Sequence, residues 1–233
     1  MSTSQHSLPS APRGPDVLGE LLHSLSQPLT GLLCSLELSL QLPLDLSTEQ
    51  VAEQQQANVS AALQQTEKVI GMIQLMREYL DAEQPAPEAF SSALAPATRS
   101  VIEELSSIAA VRGVRLRLVG TCMATLPMPG PRLRLALQYL IATLIEGQPA
   151  RGRVMLLLGE GPAGAVLRGE GERGFCLQKH SVTSLQTTLR GVRIAIASRV
   201  FESAGASLVF GGGDVEPTGF VLRIPCGVAA PAR

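Results

Sequence analysis

Two long stretches of apolar residues at alternating spacings of three and four constrain this chain more than any other feature. In the first, Leu18, Leu22, Leu25, Leu29, Leu32 and Leu36 recur along one face of a helix that opens at Pro15-Asp16. Pro28 lies inside the pattern, removes one backbone donor and is expected to bend the helix. Leu42-Pro43-Leu44-Asp45-Leu46 interrupts the periodicity, and Ser47 or Thr48 can cap a second helix over about 48–82. There Val59, Leu63, Thr66, Ile70, Ile73 and Leu80 carry the seam, and glutamines and charged residues fill the other positions. At about 1.5 Å per residue the second helix would reach roughly 50 Å. A hairpin with so narrow a seam is not stable alone, so two hairpins are expected to pair as a four-helix bundle, making the protein a homodimer.

The remainder has a different character, beginning after the linker Gln84-Pro85-Ala86-Pro87. A helix is expected over Pro96–Val111, then a strand over Val114–Val119, where polar and apolar residues alternate. Gly130-Pro131 opens a helix with Leu133, Leu137, Leu140 and Leu144 on one stripe. Arg153–Leu158, Ala165–Arg168 and Gly174–Gln178 read as strands, Gly191–Ala204 as a third helix, and Ser207–Phe210 and Gly219–Pro225 as closing strands. Gly211-Gly212-Gly213 forms a turn between the last two. Helices mixed with antiparallel strands imply an α+β fold: a long antiparallel helical hairpin followed by a two-layer α/β sandwich. The divisions are a flexible tail (1–14), the hairpin (15–83), a linker (84–88), the α/β domain (89–227) and a second tail (228–233).

Composition excludes several function classes. With 45% hydrophobic and 17% charged residues, 233 residues can bury a sizeable core. A formal net charge of −1 gives no overall case for nucleic acid or an anionic membrane. Cys34, Cys122, Cys176 and Cys226 lie far apart, and with only three histidines no metal site is expected; buried, reduced thiols are. Polar residues 1–15 lack the apolar core of a signal peptide, and no run is long enough to span a membrane, so a cytoplasmic location is expected.

The chemistry centres on His23. It sits one position past Leu22, about 100° around the helix from the seam, with Gln27, Thr30 and Cys34 continuing a polar stripe. An imidazole at a fixed height on a rigid rod can accept a phosphoryl group and pass it on. Spacing alone favours a solvated surface histidine.

His23-Ser-Leu-Ser-Gln-Pro-Leu-Thr30 resembles the H-box of sensor histidine kinases, roughly His-Glu/Asp-Leu-x-Gln/Thr/Asn-Pro-Leu-Thr/Ala. The resemblance implies a dimerisation and histidine-phosphotransfer hairpin with His23 as phosphoacceptor. Gln27, one turn away, could orient a phosphoryl oxygen or a water, and Ser24 is a further candidate. Ser24 replaces the acidic residue that assists autophosphorylation in the kinases. The second half resembles the ATP-binding domain of the same family. Arg132–Glu146 has the frame of the N-box helix, but Tyr139 and Thr143 occupy the places of its two asparagines, the second of which holds magnesium. Val166-Leu-Arg-Gly169-Glu170-Gly171 falls where the family has Asp-x-Gly-x-Gly. There Gly169 replaces the adenine-binding aspartate, with Glu170 and Asp214 as neighbouring acids. Thr188–Val200 matches the end of the second glycine box and its helix, with Gly191 kept and Arg193 in place of the next glycine.

These departures imply that the chain uses neither ATP nor magnesium, and that it resembles the dimeric histidine phosphotransferases built on a kinase body. Its partners would be a second copy and response-regulator receiver domains, with a hybrid kinase as an upstream donor; nucleic acid and membrane are not expected. Two other readings stand beside this one: a non-catalytic pseudokinase that regulates or scaffolds a histidine kinase, and a stand-alone kinase with an unorthodox ATP site. His180 reads as a loop histidine, and Arg190, Arg193 and Arg199 read as a basic helix face.

Overall fold

The computed structural model describes residues 14–40, 48–84, 90–172, 185–211 and 219–225. The expected tails, the interhelical loop with Ser47, the prolines of the linker, the strand at Gly174–Gln178, His180 and most of the turn Gly211–Gly213 lie outside these residues. The chain divides into two compact units, Met1–Glu78 with Thr183–Val192, and Tyr79–Val182 with Arg193–Arg233.

The first unit is built on α1 (Gly14–Leu40) and α2 (Thr48–Glu83), the latter continuing into the second unit at Tyr79. α1 runs through Pro28 without interruption. Four hydroxyls on α1 donate back to carbonyls one turn earlier, among them Thr30 to Ser26 at 2.9 Å and Ser35 to Gly31 at 2.9 Å. Gly31 lets the helices approach: a Cβ there would rest 3.4 Å from the Gln65 side chain.

The expected seam is not what a single chain buries. Within the first unit α1 buries Val17 and Leu21, and the buried positions of α2 are Asn58, Ala62, Met72 and Leu75, again at helical spacing. Leu22 is 56% exposed and Leu63 61%, and Leu29, Leu33, Leu36, Val59, Ile70 and Ile73 are exposed with them. The periodicity therefore marks a second apolar stripe, beyond what one hairpin can cover.

The second unit contains β1 (Ser92–Ala93), α3 (Leu94–Val111), β2 (Arg115–Gly120), β3 (Thr125–Leu126), α4 (Gly130–Glu146), β4 (Arg153–Gly161), β5 (Gly164–Gly171), most of α5 (Leu185–Ser203), β6 (Ser207–Phe210) and β7 (Gly219–Pro225). Among the described residues five strands form one sheet in the order β2-β4-β5-β7-β6, and β1 pairs with β3 separately. Period-two alternation sends Val154, Leu156, Leu158, Leu167, Leu222 and Ile224 to the buried face. Leu105 of α3 and Leu133, Leu137, Leu140 and Leu144 of α4 are buried with them, each worth up to about 2–3 kcal/mol in removed apolar surface.

Three details differ from expectation. β2 and β4 are parallel, because the intervening chain crosses over through α4 before β4 begins; the other pairs in this sheet are antiparallel, so the sheet is mixed. The two-residue strands β1 and β3 are too short to leave a periodic pattern. α5 starts at Leu185, six residues before the expected start at Gly191, because Leu-Gln-Thr-Thr-Leu-Arg contains no breaker and one internal glycine costs only about 1 kcal/mol.

Within the second unit, α4 and α5 hold the last turn of α2. The Arg132 guanidinium donates to the carbonyls of Ala82 at 2.8 Å and Gln84 at 2.9 Å, and reaches the Ser203 hydroxyl at 3.4 Å. The Arg199 guanidinium lies 4.5 Å from the centre of the buried Tyr79 ring. Replacing Arg132 with alanine strips a charged donor from two helix-end carbonyls, for a loss of about 1–3 kcal/mol. Thermal unfolding of Arg132→Ala, followed by circular dichroism, is expected to show a midpoint several degrees lower.

Candidate functional site

Helix α1 presents His23 and Gln27 at exposed positions one turn apart, with Ser24 half-buried between them. Among the described residues neither His23 nor Gln27 has a hydrogen-bond or ion-pair partner. The hydroxyls of Ser26 and Thr30 are spent on their own helix, donating to Leu22 at 3.3 Å and Ser26 at 2.9 Å. The imidazole and the Gln27 amide are thus exposed and open to an incoming molecule, and the half-buried Ser24 hydroxyl likewise has no partner among the described residues. Cys34 lies further along α1 and is exposed, contrary to the expectation of buried thiols, because its place on the polar stripe takes it away from the packed positions. Cys122 is buried as expected; its thiol pKa is raised, first by burial and less by the Glu160 carboxylate, against a lowering hydrogen bond from Ala124. Cys176 and Cys226 lie outside the described residues. No group of three or more metal-ligating side chains occurs among the described residues.

The second set of sequence candidates meets in the α/β unit. Tyr139, Thr143 and Glu146 project from α4 at spacings of four and three, and so share a face. Arg193 of α5 reaches them. Its Nη1 donates to Glu146 Oε1 at 3.0 Å, and the guanidinium lies 5.9 Å from the centre of the Tyr139 ring, at the far end of the cation–π range. Thr143 is only 4% exposed, and its hydroxyl has no partner among the described residues, nor has the Nε of Arg193. An unpaired buried hydroxyl costs about 1–3 kcal/mol.

On β5, Gly169 is paired in register with Phe220 of β7. A Cβ at 169 would stand 2.4 Å from the edge of the Phe220 ring, so the phenylalanine fills the volume that any side chain there would need. At Gly171 an added Cβ would meet the Gln148 amide at 2.3 Å; that amide donates to the Leu144 carbonyl at 3.0 Å. Glu170 faces the other side of the sheet and forms an ion pair with Arg168. Asp214 lies outside the described residues. Gly191 lies inside α5, with nothing within 4 Å of an added Cβ, so it forms no turn at this place.

Sequence reasoning singled out Tyr139, Thr143, Gly169, Gly171 and Arg193, and missed Glu146, Gln148 and Phe220 as their partners. Glu146 was accessible, seven residues and two turns after Tyr139 on the same helix face. Phe220 was not, because nothing local relates it to a glycine fifty-one positions earlier.

No protein-family model and no curated protein matches the chain. Solved structures do. The Acinetobacter baumannii histidine kinase AdeS superposes with a TM-score of 0.62 at 14% identity, over 88% of this chain and 98% of that one. The fold is that of the histidine kinases. The histidine kinase ThkA, in a crystal structure with the response regulator protein TrrA, gives a TM-score of 0.61 at 11% identity, over 91% of this chain and 62% of that one. Full-length ShkA in complex with AMPPNP gives 0.50 at 18% identity, over 91% and 45%. The helical hairpin followed by an α/β domain with a five-stranded sheet is the histidine kinase arrangement that the H-box resemblance implied. Among the described residues, no helix is long and apolar enough to cross a membrane.

The packing at Gly169 makes a sharp prediction. Restoring the kinase aspartate by Gly169→Asp drives a side chain into Phe220 and buries a charge. It is expected to destabilise the second unit by about 3 kcal/mol or more, read from the urea midpoint. The double variant Gly169→Asp/Phe220→Ala is expected to regain part of that loss.

Proposed function

We propose that the protein is a two-component phosphorelay component in which His23 exchanges a phosphoryl group with receiver-domain aspartates and the chain uses no ATP of its own. The observation that carries this reading is the contrast between the two sites. His23 is exposed and unpartnered, whereas the positions that would receive a nucleotide are occupied by the chain's own side chains: Phe220 against Gly169, Gln148 against Gly171, and the Arg193–Glu146 pair beside Tyr139. These residues do not fit a nucleotide with its magnesium. Thr143 supplies one hydroxyl, and a hard cation at this place needs several well-placed oxygens.

The chemistry asks little of this chain. The lone pair of a neutral imidazole nitrogen attacks the phosphorus of an aspartyl phosphate, an N–P bond forms, and the P–O bond to the aspartate breaks as its carboxylate leaves. Transfer to a second receiver reverses these bond changes. The rigid helix fixes the height and direction of the imidazole, and the Gln27 amide stands one turn away to hold a phosphoryl oxygen. The receiver supplies the aspartate and its metal. The ThkA structure contains a response regulator protein, which supports a receiver as the kind of partner.

Two measurements test this reading. Purified protein mixed with receiver domains carrying labelled phosphate is expected to acquire label on His23, and His23→Ala to acquire none. Gln27→Ala should slow the exchange by about tenfold to a hundredfold. Label on His23 from ATP and magnesium alone would overturn the ATP-independent part. Refusal of label from every receiver, with His23→Ala leaving the cellular output intact, would favour a pseudokinase scaffold.

The exposed stripe formed by Leu29, Leu33, Val59, Leu63, Ile70 and Ile73 is the surface through which we infer that two hairpins pair. Leu63→Asp buries an unpaired carboxylate in that interface, and sedimentation is expected to show monomers where the parent protein sediments as a dimer.

A further inference from the structure

Charge is unevenly divided along the chain. Residues 1–83 contain three basic and ten acidic side chains, whereas residues 84–233 contain sixteen basic and ten acidic, for net charges of −7 and +6 that together give the overall −1. Five of the basic side chains collect at one corner of the α/β unit: Arg112 after α3, Arg115 and Arg117 on β2, and Arg151 and Arg153 leading into β4. All five are exposed, and none has a hydrogen-bond or ion-pair partner among the described residues. The register sets Arg115 directly beside Arg153, with strand axes about 4.8 Å apart, and Arg117 beside Met155. Like charges facing each other across a strand pair are destabilising. Nearby acids do not relieve them: Glu170 is held by Arg168, and Glu172, just past the Gly171–Val154 pair, has no ion pair among the described residues.

This corner is also a sheet edge. β2 is the terminal strand of the sheet among the described residues, so the backbone groups on its outer side have no strand beside them. Its core-facing residues, Leu116 and Leu118, stay half-exposed, and on the adjoining α3 Ile108 and Val111 remain 49% and 90% exposed. Arginines on an edge strand ordinarily serve to prevent aggregation. The half-exposed leucines of the same strand form an apolar shelf that works against it.

We propose that β2 is a docking edge for an extended, acidic segment of a partner protein, which adds as a further strand. The backbone of such a segment would pair with β2. Alternate side chains of a strand point to opposite faces, so carboxylates at every second position would meet Arg115, Arg117 and Arg153 while the residues between them cover Leu116 and Leu118. The sequence rule is acid–apolar–acid–apolar–acid. A nucleic acid would satisfy the arginines and leave the apolar shelf bare.

A fluorescein-labelled peptide, GSEVEVEVEGS, titrated with the full-length protein at low salt is the direct test, read by fluorescence anisotropy. Saturable binding is expected, weakened about tenfold or more by changing every Glu of the peptide to Gln and by the triple variant Arg115→Glu/Arg117→Glu/Arg153→Glu. A peptide of the same composition with its four acids in one block is expected to bind markedly less well. Equal binding of the blocked peptide would overturn strand addition, tighter binding of oligouridine would overturn the choice of partner, and no binding of the alternating peptide would overturn the docking edge itself. Should the triple variant fail to show a native circular dichroism spectrum, the alternating and blocked peptides compared on the parent protein still decide the outcome.

Discussion

Close packing between Gly169 and the Phe220 ring fixes the character of the α/β unit. β5 is the middle strand of the sheet, flanked by β4 and β7, so whatever stands on its buried face is sealed between two neighbours and the helices. An aromatic ring at that place buries apolar area worth on the order of 2–3 kcal/mol. Gln148 closes the next position along the strand, and Arg193 ties α5 to α4 through Glu146. Each of these contacts is made between the chain's own side chains and backbone. Together they give a domain that completes its own interior.

The two long helices were legible in the sequence because their period repeats over many turns, as were the main strands, where alternation met recognisable turns. Helical spacing placed His23 off the leucine seam on an exposed helix face, and the structure puts it there. The mixed sheet was harder to read. Whether β4 runs parallel or antiparallel to β2 depends on the path through α4, and alternation within a strand is blind to direction. The start of α5 was hidden for a related reason: Gly191 looked like a boundary, although a helix can carry an isolated glycine. The partners of Tyr139, Thr143, Gly169 and Arg193 were legible only in part. Tyr139 and Glu146 share a helix face, but the meeting of residue 169 with residue 220 is a property of strand register, which no local pattern encodes.

The leucine-rich seam carried more meaning than simple burial. Within one chain the hairpin buries Val17 and Leu21 on α1 and Asn58, Ala62, Met72 and Leu75 on α2, while Leu22, Leu29, Leu36, Val59, Leu63, Ile70 and Ile73 of the sequence pattern are left at the surface. A strongly periodic sequence can thus specify two apolar stripes on one helix, and only coordinates separate the stripe used within the chain from the one left over. His23 lies beside α1's exposed leucines and not among them, so its imidazole can remain accessible when that stripe is covered.

Arg132 carries a different implication, for the order in which the molecule comes apart. The boundary between the two compact units falls inside α2, between Glu78 and Tyr79, with no break in the helix. The carbonyls of Ala82 and Gln84 depend on a guanidinium about fifty residues further along the chain, and Tyr79 stacks with Arg199, well over a hundred residues away. The last turn of α2 therefore belongs to the cooperative unit of the sheet. Its amides would exchange with solvent on that unit's clock, making a single continuous helix report two separate opening free energies along its length.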